Sequence, residues 1–285
     1  MKSFKDIAMN FVGGSLIAAK EEPAGQAVTA EVSRRQWLFL IAILVAIGIT
    51  EWVFAYKDVA YGIGMALFVV IGIYVVISVT RLDQLIANCA ESLALIPLYI
   101  LFTSSLPWFF INQQYLLPAV YSTIMGLCLW HIYQKKLSFS ELGFKKDNWR
   151  KYVLMGIAIG IPIGTAEYFV LHPAPAFPTF EVQNLFRDAV YMLCFVGLGE
   201  ELLFRGLVQR DLMKALGWKQ GILLASLMFA VMHLTWRSVP ELFFVFGAGL
   251  LLGYIYYRTK NLTTPIVAHG VGNVMLVAVM PYVIG

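Results

Sequence analysis

The sequence is dominated by apolar stretches of about 20 residues that recur along nearly its whole length. A helix of that length crosses a hydrocarbon core of roughly 30 Å. A core helix of a soluble protein is usually shorter and carries a polar stripe on its exposed face. Only 13% of the 285 residues are charged, against about 25% in soluble domains. The pattern therefore predicts an all-α fold, a polytopic transmembrane helical bundle.

About eight to nine membrane spans follow from these stretches. Their predicted bounds are 37–56, 59–79, 92–111, 115–133, 152–171, 187–208, 219–235, 241–257 and 263–283. The third is the least regular, because Pro97 and Pro107 interrupt it and Asn88 and Glu91 precede it. Proline disfavours a helix interior, so this span alone separates a count of eight from a count of nine.

The positions of lysine and arginine predict the orientation. With nine spans and a cytoplasmic N-terminus, all of the 21 basic residues fall on the cytoplasmic side except Lys57, Arg187 and Arg237. Cytoplasmic loops carry such an excess of basic residues. We therefore predict a multi-pass protein of the cell membrane with the lipid bilayer as its surroundings. The basic residues lie in short clusters between apolar stretches, which does not indicate binding to nucleic acid.

Three regions are predicted. Residues 1–36 form a cytoplasmic N-terminal segment with an interfacial helix, residues 37–151 form the N-terminal transmembrane helices with an amphipathic inner loop, and residues 152–285 form a catalytic transmembrane core. The core begins with glycines at every fourth position, which give one helix a smooth face for close packing: Gly156, Gly160 and Gly164. The three cysteines are far apart and form no CxxC pair, so neither a disulfide nor a cysteine metal site is indicated.

Ionisable residues inside the spans are candidates for function, because a charge at the bilayer centre costs roughly 3 kcal/mol or more. The candidates are Glu51, His131, Glu167, Glu200, Glu201, Arg205, His233 and His269. Glu51 and His131 lie near span ends, where their side chains are expected to reach the interface. Glu167 is expected to have a structural role. The other five cluster in the last third of the chain.

Two adjacent glutamates in the sixth span are expected to have different roles. Glu201 precedes Arg205 by one helical turn, which is the favourable order for an ion pair within a helix. Glu200 projects about 100° away from Glu201. One glutamate is thus neutralised by Arg205 while Glu200 is free to react.

Two further helices bring polar groups that complement this carboxylate. Phe229 lies one turn before His233 and can cover its imidazole, and His269 lies one turn before Asn273. A carboxylate, two imidazoles and an amide suffice to hydrolyse an amide bond. Glu200 would act as general base with His233 holding the water, and His269 and Asn273 would donate hydrogen bonds to the oxyanion.

Together, three motifs resemble the signature of the CAAX-protease and bacteriocin-processing family, also called CPBP or Abi. They are Glu-Glu-x-x-x-Arg at 200–205, Phe-x-x-x-His at 229–233 and His-x-x-x-Asn at 269–273, within a resemblance that covers about 185–280. A weaker echo lies in the Glu141-Leu142-Gly143 loop. The family includes the Ras-converting prenyl-protein endopeptidase.

The resemblance implies an intramembrane endopeptidase acting on a membrane-associated peptide or protein, prenylated or containing a leader. The family mechanism assigns activation of water to Glu200 and His233. It makes His269 and Asn273 the oxyanion donors, with supporting roles for neighbouring residues: Glu201, Arg205 and Phe229.

Other functions stay open at this stage. No cofactor is predicted, but in a zinc hydrolase Glu200, His233 and His269 would be the metal ligands and Glu201 the base. The absence of an HExxH motif favours the metal-free mechanism. Buried glutamate and histidine also occur in transporters and proton relays, although the chain shows no matching second half. A non-catalytic immunity protein is the third alternative.

Overall fold

The computed structural model describes residues 33–284, and the predicted interfacial helix near the N-terminus lies outside them. This part of the chain forms nine successive helical segments and contains no strand. They are α1 (Arg34–Tyr56), α2 (Val59–Val79), α3 (Gln84–Ser104), α4 (Leu116–Gln134), α5 (Trp149–Leu171), α6 (182–216), α7 (Trp218–Met232), α8 (Val239–Thr259) and α9 (Thr263–Val283). The prediction of an all-α polytopic bundle is confirmed.

Seven of the nine segments are long and apolar enough to cross a membrane, and α6 and α7 are the two others. In α6, α-helical turns alternate with π-helical turns at Met192–Gly197 and Leu202–Gln209. Helix α7 has 15 residues, about 22 Å of helix. It is shorter than the predicted span 219–235, because the chain tightens into a 3₁₀ turn at His233–Trp236.

The predicted bounds of the third span, 92–111, are wrong, because α3 begins at Gln84 and ends at Ser104. Asp83 caps its first turn by accepting a hydrogen bond from the Leu85 amide at 2.8 Å. Pro97 lies inside the helix, whereas Pro107 follows it.

The polar residues that seemed to precede this span lie inside α3, where α4 supplies their partner. The ammonium group of Lys135 donates to the Asn88 side-chain oxygen at 3.1 Å and forms an ion pair with Glu91. A hydropathy pattern places such polar residues outside a span, but a cation on the neighbouring helix compensates them within the bundle.

Large apolar side chains cover the outer surface of the bundle, as expected where lipid is the solvent. Phe68, Phe186 and Phe243 are each more than 70% exposed. Helix α3 is the most enclosed of the candidate spans and packs against α2 and α4. Glu51 and His131 are also buried in the bundle, so the prediction that they reach the interface is wrong.

The glycine face of α5 packs directly on α9, as the spacing of the glycines predicts. A Cβ atom added at Gly160 would lie 2.5 Å from the Ala268 carbonyl oxygen, and one at Gly156 would lie 2.7 Å from the Val267 side chain. At Gly164 an added Cβ would collide with the Gly272 backbone. Only glycine permits this approach, which fixes the helix that carries His269 and Asn273.

The loop between α4 and α5 is folded against the turn that precedes α9. Glu141 accepts hydrogen bonds from the Ser138 amide and hydroxyl, and these bonds hold the pKa of the Glu141 carboxyl below its usual range. Gly143 has a φ of +97°, a conformation that favours glycine. Its carbonyl accepts from the Leu262 amide at 3.0 Å, so the loop supports the start of α9.

Candidate functional site

A cavity of about 200 Å³ lies between α4, α5, α6, α7, α8 and α9. It is lined by all four predicted catalytic residues: Glu200, His233, His269 and Asn273. Apolar side chains such as Val196, Phe244 and Leu276 form most of the remaining wall. The structure therefore brings groups from α6, α7 and α9, which are separate in the sequence, to one enclosed space.

The two carboxylate oxygens of Glu200 have different surroundings. Oε1 accepts a hydrogen bond from the Tyr121 hydroxyl at 2.8 Å. Oε2 is buried without a hydrogen-bond partner in the described part of the chain, and it lies 3.8 Å from Nε2 of His269. One oxygen is thus held, while the other is free to accept a proton.

Glu201 does not line the cavity and projects from a different face of α6 than Glu200, as its position in the helix predicts. Its Oε1 accepts from the Arg205 guanidinium at 2.7 Å and lies 2.8 Å from Nδ1 of His269. Arg205 also donates to the Gly249 carbonyl at 3.3 Å. Glu201 and Arg205 are almost fully buried. The predicted pair is therefore present, and it also orients the His269 ring.

Phe229 lines the cavity and contacts both imidazoles and the Arg205 guanidinium. Its ring centroid lies 4.9 Å from that of His233 and 5.7 Å from that of His269. The Arg205 guanidinium lies over the same ring at 4.5 Å, a cation–π contact. Phe229 thus covers the His233 imidazole, as its spacing predicts.

His233 occupies the point where α7 changes into the 3₁₀ turn. Its Nδ1 lies 2.8 Å from the Phe229 carbonyl oxygen. Since a carbonyl only accepts, the Nδ1 atom carries the proton, and Nε2 is the acceptor in a neutral ring. The end of the helix therefore sets both the tautomer and the direction of the ring.

A carboxylate and two imidazoles are groups that bind zinc, but their arrangement in this cavity fits a zinc ion less well. Metal-binding histidines are commonly held through their second nitrogen, and His233 and His269 are both held at Nδ1. However, no group of three histidine, cysteine, aspartate or glutamate residues within 33–284 is placed to hold a metal ion. The alternative in which Glu200, His233 and His269 bind zinc stays a prediction.

Three further polar residues near the cavity were missed or given another role from the sequence. Tyr121 contacts Glu200 from α4, and no local motif identifies it. Glu167, which the sequence left as structural, lines the cavity. Glu241 is buried beside the Glu167 carboxyl. It follows the N-cap Ser238, and that capping position was the only local signal.

The fold and the cavity together define a polytopic membrane protein whose polar site lies inside the helical bundle. Within this chain, residues 182–275 match the family model described as type II CAAX prenyl endopeptidase Rce1-like. The matched region contains all three motifs and most of α6 to α9. This region is similar to the Rce1-like family, and the predicted resemblance is confirmed. No curated protein and no solved structure matches the chain.

Proposed function

We propose that the chain is an intramembrane endopeptidase in which Glu200 and His233 activate water to hydrolyse a peptide bond. The substrate is a membrane-associated peptide or protein. The observation that carries this proposal is the convergence of Glu200, His233, His269 and Asn273 on one cavity within the Rce1-like region. The same match favours a protease over a transporter, a proton relay or an immunity protein.

Water activation uses the free oxygen of Glu200. Oε2 takes a proton from a water molecule that Nε2 of His233 orients by accepting its second hydrogen. The oxygen of that water attacks the carbonyl carbon, and the carbonyl oxygen becomes an oxyanion. Glu200 then delivers the proton to the amide nitrogen, the C–N bond breaks, and an amine and a carboxylic acid are released.

The oxyanion is stabilised by His269 and the Asn273 side-chain amide, which lie one turn apart on α9 and line the same cavity. Because Nδ1 of His269 donates to Glu201, Nε2 can donate only if the ring carries both protons. The site then holds two carboxylates, Glu200 and Glu201, opposite two cations, Arg205 and His269. Such a balance lowers the cost of burying the four charges.

The test is cleavage of a membrane-anchored peptide library by the detergent-purified protein. We expect Glu200→Ala, His233→Ala and His269→Ala to abolish cleavage. Asn273→Ala should retain activity lowered roughly 100- to 1000-fold, the usual cost of one oxyanion donor. Glu51→Ala is the matched control, because Glu51 is equally buried but does not line the cavity.

The same assay with a strong chelator separates the two hydrolytic mechanisms. Cleavage that survives chelation and is lost in Glu200→Ala supports the glutamate-dependent protease. Cleavage that is lost to the chelator and restored by zinc would make Glu200, His233 and His269 metal ligands. Full activity of the Glu200→Ala protein would refute both.

A further inference from the structure

The site includes a residue from outside the Rce1-like region. Tyr121 lies in the first half of α4, about 60 residues before the matched segment begins. Its hydroxyl makes the one hydrogen bond to Glu200 found in the described residues, at 2.8 Å from Oε1. Tyr121 also lines the cavity beside Glu200. Helix α4 packs against α6 here: a Cβ added at Gly199 would lie 3.7 Å from the Tyr121 ring, an ordinary van der Waals contact.

This bond makes the two oxygens of Glu200 inequivalent. A glutamate side chain has three rotatable bonds and, without a partner, would sample several orientations in the cavity. The tyrosine hydroxyl fixes Oε1, and the rigid carboxylate plane then directs Oε2 towards Nε2 of His269. The reactive oxygen is therefore selected by a residue that does not itself take part in proton transfer.

We propose that Tyr121 is a positioning residue for the proposed general base Glu200, so that α4 forms part of the working site. This inference rests on the proposed function. It differs from a structural role, in which the hydroxyl would only compensate a buried carboxylate. A structural role changes the amount of folded protein, whereas positioning changes the rate at which the folded enzyme turns over bound substrate.

The variant Tyr121→Phe removes the hydroxyl and leaves the ring. A hydrogen bond to a charged group is stronger than one between neutral groups, so we expect kcat to fall on the order of 10- to 100-fold, with KM changed less than about twofold. The control is Tyr256→Phe, which removes a buried hydroxyl that donates to the Leu142 carbonyl at 3.2 Å, outside the cavity. It should retain wild-type kcat. Wild-type kcat in Tyr121→Phe, or equal losses in both variants, would overturn the inference.

A readout that needs no turnover separates failure of this inference from failure of the proposed function. The carboxylate stretching band of Glu200 can be assigned by infrared difference spectroscopy against Glu200→Gln. We expect Tyr121→Phe to shift that band and Tyr256→Phe to leave it in place. An unshifted band would refute the contact even if the enzyme is active. If the band shifts in Tyr121→Phe but the wild-type protein cleaves no peptide, the result counts against the proposed function alone.

Discussion

At the scale of single residues, one carboxylate oxygen connects the buried ion pair of Glu201 and Arg205 to His269, a proposed catalytic residue. Oε1 of Glu201 contacts both Arg205 and Nδ1 of His269. Glu200, one position earlier, has no contact with Arg205 among the described residues and faces the cavity instead. The adjacent glutamates are therefore not redundant: one compensates a buried cation and orients a ring, and the other is available for chemistry.

This division predicts that two adjacent substitutions lower the stability by different amounts. Glu201→Ala leaves Arg205 buried without its anion, which typically costs about 3–5 kcal/mol. We expect a clear loss of thermal stability in detergent. Glu200→Ala should cost less, because Arg205 and His269 both keep Glu201 as a partner. The Tyr121 hydroxyl loses its hydrogen bond, at about 1 kcal/mol. Unfolding curves of both variants against the wild type provide the check, and an equal loss of stability would contradict the assignment.

At the scale of helices, the position of the site depends on how closely α9 approaches α5. The glycines of α5 leave no room for a methyl group against the α9 backbone. His269 lies within the part of α9 that makes this contact, from Thr264 to Gly272, and Asn273 follows it directly. The positions of the proposed oxyanion donors therefore depend on α5 glycines that do not line the cavity themselves.

A single methyl group placed at this contact tests that dependence. Gly160→Ala puts a Cβ about 2.5 Å from the Ala268 carbonyl oxygen, so α9 must move away and carry His269 with it. We expect cleavage to fall at least tenfold, since misplacement by about 1 Å can cost 100-fold. Gly126→Ala in α4 is the control, because an added Cβ there meets nothing within 4 Å. Equal activity of the two variants would show that the glycine contact does not position the site.

The sequence predicted those parts of the site that lie within one helix. The spacing of four residues fixes the pairing of Glu201 with Arg205 and the cover of His233 by Phe229, because one helical turn sets both distances. The Tyr121 contact could not be predicted, since it depends on the packing of α4 against α6. The true start of α3 was missed for a related reason: hydropathy does not reveal that Lys135 on another helix compensates Glu91.

At the scale of the whole molecule, the cavity extends towards one side of the bundle. His269 is six residues from the start of α9, about 9 Å along the helix. Leu117, Glu167 and Trp236 line the cavity near the helix ends on the opposite side. Those ends adjoin the loop at 172–181, whereas the basic loop at 135–148 lies at the other ends. Because the basic residues predict a cytoplasmic N-terminus, we expect the cavity to approach the outer face of the membrane.

The direction of the cavity predicts the side from which substrate enters. The two reporter variants, Ala174→Cys and Lys146→Cys, are each made in a Cys194→Ser background and placed in sealed vesicles in the cellular orientation. We expect a membrane-impermeant thiol reagent to label Ala174→Cys and to leave Lys146→Cys unlabelled. A cleavable membrane-anchored peptide added outside should then be cut, whereas one displayed only inside should not, because the polar groups are reached from the ends that adjoin Trp236. If only the Lys146→Cys protein is labelled, the orientation is the reverse of the predicted one. The peptide added outside should then remain uncut. The expected labelling with cleavage only of the peptide displayed inside would contradict the predicted direction of the cavity.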